Sequence, residues 1–165
     1  MHIHSPFPIA ELITLVQRNS TDADLSLGSD EGPVEPQTAA FKALIVEDVE
    51  INQLIASSML SKLGILATTA ADGIEGVSRF KSEHFDIIFM DCQMPMMDGF
   101  QATARIRKIE EERGLTKTPI FAMTANTEEK EKDKAVKAGM NGFIQKPYSF
   151  DQLEALVRTT LFLSL

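Results

Sequence analysis

Five short apolar runs alternate with stretches of helical periodicity between residues 43 and 161, and that alternation leaves few folds open. Strands separated by helices pair in parallel, and a parallel sheet has to be covered by helices on both faces. The runs fall at residues 43–46, 66–69, 87–90, 120–123 and 142–144. The third, Ile87-Ile88-Phe89-Met90, is apolar throughout, as a strand buried on both faces must be, and it stops abruptly at Asp91. After the first run, Ile51, Ile55, Met59 and Leu63 recur at helical spacing, with Gly64 where a helix C-terminal cap belongs. Asp72-Gly73 leads into a second helix ending near Ser82, and a third covers about residues 100–112. A charged fourth helix over 127–138 stops at Gly139, and Phe150, Leu153, Leu156, Val157 and Leu161 mark the last. The pattern predicts an α/β fold: a doubly wound, five-stranded parallel sheet with helices on both faces.

That fold needs residues 42–165, and the rest of the chain differs in composition. From Asn19 to Ala40 the sequence is rich in Ser, Thr, Asp, Gly and Pro, with five acids and no Lys or Arg, which predicts a flexible acidic linker over 19–41. Residues 1–18 have the pattern of a short helical segment. The formal charge of −8 repels phosphate backbones, and no basic patch offsets it, so nucleic acid is not an expected partner. No apolar run approaches the roughly 20 residues a membrane span requires, and the N-terminus lacks a basic segment followed by an apolar core. Direct membrane contact is therefore not expected. Cys92 is the single cysteine, which excludes an internal disulfide and fits a reducing cytoplasm.

In a doubly wound sheet, functional groups gather at the carboxyl ends of the strands. Glu47 and Asp48 follow the first run, Asp91 the third, Thr124 the fourth and Lys146 the fifth. Three carboxylates brought together repel one another and hold protons unless a cation compensates them. A hard, oxygen-seeking ion of the Mg²⁺ type suits such a set, because it takes one or two carboxylates plus a phosphate oxygen and keeps several waters. Lys146 and the Thr124 hydroxyl then serve as neutralising and hydrogen-bonding groups for the remaining phosphoryl oxygens.

In order and spacing these residues resemble the receiver domains of two-component signalling, and most of all the C-terminal receivers of hybrid sensor histidine kinases. The resemblance is carried by Leu44-Ile45-Val46-Glu47-Asp48 with Asn52 beyond it, Met90-Asp91-Cys92-Gln93-Met94-Pro95-Met96-Met97-Asp98-Gly99, Met123-Thr124-Ala125 and Gln145-Lys146-Pro147. It implies the flavodoxin-like strand order 2-1-3-4-5. By position it implies that Asp91 is the phosphoacceptor, with Lys146 and Thr124 completing the catalytic set. Asp48 then ligates Mg²⁺ directly, with Glu47 nearby or through water and the backbone carbonyl of Gln93 as a further ligand. Thr124 and Phe143 form the switch, although an aromatic in so short a strand also suits plain core packing. A cis Lys146–Pro147 bond is implied as well. The partners implied are a histidine kinase or a histidine phosphotransfer protein, including kinase domains of the same chain, and the parent chain is then a histidine kinase with its own membrane anchor.

Two rival functions make different demands on the same residues. An aspartyl phosphatase of the haloacid-dehalogenase type needs a second Asp two residues after the nucleophile, and Gln93 stands there. A degenerate docking module should have lost an acid, the threonine or the lysine, and all are present. The linker ahead of the fold favours the terminal receiver of a hybrid kinase over a single-domain or truncated regulator. The two ends of the chain add to this: Ile3, Pro6, Phe7, Leu12, Leu15 and Val16 align without gaps on Ile144, Pro147, Tyr148, Leu153, Leu156 and Val157. On that reading residues 1–18 are the tail of a preceding receiver-like domain, degenerate because Ser5 replaces its lysine.

Overall fold

The computed structural model describes residues 40–162; the predicted helical segment 1–18 and all but the end of the predicted linker 19–41 lie outside the described residues. Strands β1 (Lys42–Val46), β2 (Leu66–Ala70), β3 (Ile87–Asp91), β4 (Ile120–Thr124) and β5 (Gly142–Gln145) form one parallel sheet in the order β2-β1-β3-β4-β5. Helices α1 (Glu50–Lys62), α2 (Gly73–Ser82), α3 (Gly99–Arg113), α4 (Glu129–Ala138) and α5 (Phe150–Val157) connect and complete it. The last runs on into a π-helical turn over Arg158–Phe162.

The pleat sends alternate side chains to opposite faces, and the two faces have separate cores. Leu44 and Val46 of β1 join Ile88, Met90, Ile120 and Ala122 under α2, α3 and α4. Their neighbours Ala43 and Ile45 join Ile87, Phe89 and Met123 under α1 and α5. Each fully buried Ile or Leu contributes roughly 1.5–3 kcal/mol over its exposed state, so β3, buried throughout, and β1, buried from Ala43 to Val46, anchor the sheet.

Helix α1 corrects one reading of the sequence. Its buried residues are Ala56 and Leu60, followed by Leu63 at its end, whereas Ile51 and Ile55 are exposed. A residue advances about 100° around an α-helix, so a strict i, i+4 series winds by about 40° per step and leaves the core face within a few steps. Ile51 and Leu63 therefore belong to different faces. Helix α4 also starts later than the sequence suggests, at Glu129, because Asn126 Oδ1 accepts the Glu128 amide and keeps residues 126–128 in a turn.

At the end of the sheet opposite the acids, α3 is locked to its neighbours by a buried ion pair. Glu110, 1% exposed, accepts from Arg107 Nη1 and from the Thr118 amide, both at 2.7 Å. Arg107 also donates to the Gly139 carbonyl and to Asn141 Oδ1, which holds the turn between α4 and β5. Asn141 Oδ1 further accepts the Ile120 amide at the start of β4.

Candidate phosphoacceptor site

The strand ends bring Glu47, Asp48 and Asp91 together, with one carboxylate oxygen of each within 4.8 Å of the others. Glu47 and Asp91 are buried at the floor of the site, and Asp48 is exposed at its rim. Lys146 enters from the end of β5, where Lys146–Pro147 is a cis peptide bond, and its Nζ lies 3.0 Å from Glu47 Oε1 and 3.4 Å from Asp91 Oδ2. Asp91 Oδ1 accepts the Gln93 amide at 3.1 Å. Sequence reading thus placed Glu47, Asp48, Asp91 and Lys146 in one cluster, and the structure brings them together.

Electrostatics follow from that crowding. Burial, and then Glu47 beside it, pushes the Asp91 carboxyl up to about 7, against the opposing pull of Lys146 and the Gln93 amide. Burial alone would depress Lys146, but Glu47 and Asp91 outweigh it and hold the ammonium above the usual lysine range. Burial, and then the Asp91 charge beside it, pushes the Cys92 thiol up to about 12 against the weaker pull of Lys146, so it stays protonated. An all-oxygen set of three carboxylates facing one lysine fits a hard divalent cation and has no soft ligand to favour another metal.

Loop geometry fixes these positions. Past Asp91 the chain turns through Met96, whose φ of 70° is left-handed, with the Met97 amide bonded to the Pro95 carbonyl at 2.7 Å. Asp98 and Gln101 then form a reciprocal capping box that starts α3. Gly99 packs so closely under Asp91 that a Cβ there would strike the Asp91 carbonyl.

Thr124 and Phe143, the expected switch pair, are near but not joined to the cluster. The Thr124 hydroxyl donates to the Asn126 carbonyl and accepts the Asn126 amide, each at 2.9 Å. Phe143 is exposed on β5, with the Lys132 ammonium 5.1 Å above its ring, and a narrow void lined by Thr124, Ala135 and both of these residues lies behind it. The charge pattern of the fourth helix does not reveal this contact between Lys132 and Phe143. Sequence reading also gave no task to Asn52 and Gln53, whose side chains donate to Glu47 Oε2 and to the Glu47 carbonyl, both at 2.7 Å. Amide side chains one turn after an acid pair, at the start of a helix, are the signal that could have found them.

Residues 43–158 match the sequence pattern described as the response regulator receiver domain. A probable histidine kinase from rice is 36% identical over 84% of this chain, which spans 14% of that relative's length. The receiver domain of the sensor histidine kinase PA1611 from Pseudomonas aeruginosa, solved with a magnesium ion in its active site cleft, is 36% identical over 74% of this chain and 98% of its own, with a TM-score of 0.67. The receiver of Saccharomyces cerevisiae Ssk1, solved with the histidine phosphotransfer protein Ypd1, is 32% identical over 76% of this chain and 91% of its own, with a TM-score of 0.72. Among the described residues no helix is long and apolar enough to cross a membrane. With the acids and lysine at the strand ends of a sheet in this order, and the family pattern running through all five strands, the chain belongs to the response-regulator receiver family and is a receiver domain of two-component and phosphorelay signalling.

Proposed function

We propose that Asp91 is the phosphoacceptor and that it takes its phosphoryl group from a phosphohistidine. The observation that carries this reading is the position of Lys146 Nζ, suspended between Glu47 and Asp91 at the mouth of a cluster of carboxylates. An Asp91 carboxylate oxygen attacks phosphorus in line, the phosphorus–nitrogen bond to the donor imidazole breaks, and an acyl phosphate forms with the imidazole as leaving group. Asp48, Asp91, Glu47 and the Gln93 carbonyl are the residues that would hold Mg²⁺. When bound, that ion neutralises charge on the transferring group and on the acceptor. Lys146 pairs with one phosphoryl oxygen and the Thr124 hydroxyl with another. Gln93 carries no acid at the position where an aspartyl phosphatase needs one, which argues against rapid turnover.

The resting arrangement has Thr124 engaged by Asn126 and Phe143 outside. Phosphorylation draws Thr124 toward Asp91, Phe143 turns inward behind it, and the surface of α4, β5 and α5 changes. Beside the mouth of the site, Ile51, Leu54 and Ile55 leave a contiguous apolar stretch of α1 exposed. We assign that stretch to the histidine phosphotransfer protein or kinase domain that delivers the phosphoryl group, since an amphipathic helix docks on such a surface.

The parent protein in this reading is a hybrid histidine kinase working in the cytoplasm. An alignment with the rice kinase that takes in 84% of the chain cannot fit within residues 42–165. It therefore takes in residues ahead of the receiver fold, in keeping with a receiver that is one part of a longer kinase chain. The decisive experiment for the site is mass spectrometry after incubation with acetyl phosphate and Mg²⁺. A single phosphoryl mass gain, lost in Asp91→Asn, is expected; an unchanged gain in that variant overturns the assignment.

A further inference from the structure

Asn52 makes the shortest polar contact to the Glu47 carboxylate, 2.7 Å from Nδ2 to Oε2, against 3.0 Å from Lys146 Nζ to Oε1. Glu47 is 1% exposed, so its oxygens depend on donors from the protein. The two donors differ in kind. Lys146 brings charge on a flexible stem and is shared with Asp91, 3.4 Å away, whereas Asn52 brings a neutral amide on the rigid first turn of α1. Gln53, the next residue, fixes the Glu47 backbone through its carbonyl. The carboxyl torsion of a glutamate is broad and two-fold, so one charged partner does not set its plane. Asn52 adds a second, fixed direction: it holds Oε2 at 2.7 Å, and Lys146 meets Oε1 more closely, at 3.0 Å, than Oε2, at 3.4 Å.

We propose that Asn52 is a positioning residue that orients Glu47 and thereby shapes the cation-binding face of the carboxylate cluster. The proposal rests on the reading of Glu47, Asp48 and Asp91 as a Mg²⁺ site. Without the amide, the Glu47 carboxylate turns to follow Lys146, and the cluster presents its charge to the wrong place. Removing a group that orients a ligand in this way typically weakens metal binding by about 10- to 100-fold.

The test is Mg²⁺ titration of the full chain, followed through the amide shift of Gln93 by NMR rather than through phosphorylation. Asn52→Ala and the similarly sized Asn52→Leu are both expected to raise the Mg²⁺ dissociation constant by about 10-fold or more, because neither can donate. In a Glu47→Ala background the same substitutions should change it by less than about two-fold, the non-additivity expected of coupled partners. Melting in EDTA checks that each variant is folded, and a variant that is not is replaced in the cycle by the other. Mg²⁺ binding within about two-fold of wild type in both Asn52 variants, or a loss of the same size in the Glu47→Ala background, overturns the proposal. Unchanged Mg²⁺ affinity in Asp48→Asn would instead sink the metal-site reading on which it rests.

Discussion

The Lys146 ammonium lies closer to Glu47, at 3.0 Å, than to Asp91, at 3.4 Å, so Asp91 shares its positive partner with a buried neighbour. On the proposed reading, phosphorylation of Asp91 has to win that ammonium from Glu47. Lys146→Met is therefore expected to slow phosphorylation by acetyl phosphate by about 100-fold or more, the usual cost of losing a charge-stabilising donor. Mg²⁺ titration of the same variant should show the ion still bound, since no carboxylate has been removed.

The Asp91 carboxyl gives the metal-free protein a pH dependence of definite sign. Its folded value of about 7 is above the ordinary 3.8, so between those limits the folded state holds a proton that the unfolded state has released. Stability in EDTA should then fall as pH rises through that window. Asp91→Asn removes this contribution, so its melting temperature should exceed wild type increasingly from pH 4.5 to pH 8. A constant difference across the series would contradict the raised value.

Lys132 over the Phe143 ring favours the outward aromatic. An exposed cation–π contact is worth about 0.5–1 kcal/mol, so Lys132→Met should shift the inward–outward balance by about two- to five-fold. Beryllofluoride, a phosphoryl mimic, reports this as a lower midpoint when titrated with Mg²⁺ present. An unchanged midpoint means that the lysine does not bias the switch.

Two glycines separate close packing from backbone conformation. At Gly99 a side chain strikes the Asp91 carbonyl, so Gly99→Ala is expected to destabilise by about 1–3 kcal/mol and to displace the acceptor enough to depress phosphorylation. Gly114, with φ of 67° and open space around it, should lose about 1–2 kcal/mol on substitution by Ala and keep its phosphorylation rate. Urea unfolding with a parallel acetyl phosphate assay distinguishes the two.

If the exposed face of α1 receives the phosphodonor, Ile51→Glu and Leu54→Glu should cut phosphotransfer from a phosphorylated histidine phosphotransfer protein by about 10-fold or more, as loss of a central apolar anchor does. Labelling by acetyl phosphate should be unaffected. Equal loss with both donors would mean that the substitutions damage the site itself.

The sheet was legible because buried strands leave no freedom in composition: Ile87–Asp91 can be read as a central strand from four apolar residues and an acid. The acids, Thr124 and Lys146 were legible because strand ends converge in this topology whatever the loops do. Side-chain orientation was not. Nothing in the spacing says that Ile51 faces solvent while Ala56 faces the core, since that depends on how α1 rolls against the sheet. The contacts of Asn52 with Glu47, Lys132 with Phe143 and Arg107 with Asn141 bridge different elements, and each depends on rotamers set by packing.

The Arg107 contacts give α4 a fixed end. Its C-terminal turn is tied to α3 through the Gly139 carbonyl and Asn141, while its N-terminal end adjoins the Thr124–Asn126 turn beside Asp91. A helix held in this way behaves as a lever with its fulcrum at Gly139. Its 10 residues span about 15 Å, so a tilt of about 10° carries Glu129 by roughly 2.5 Å while Ala138 hardly moves. If Thr124 carries the proposed switch, its displacement is thus largest close to where it enters and fades along the helix, so the end of α4 near Asp91, rather than its whole length, is where a partner would tell the two states apart.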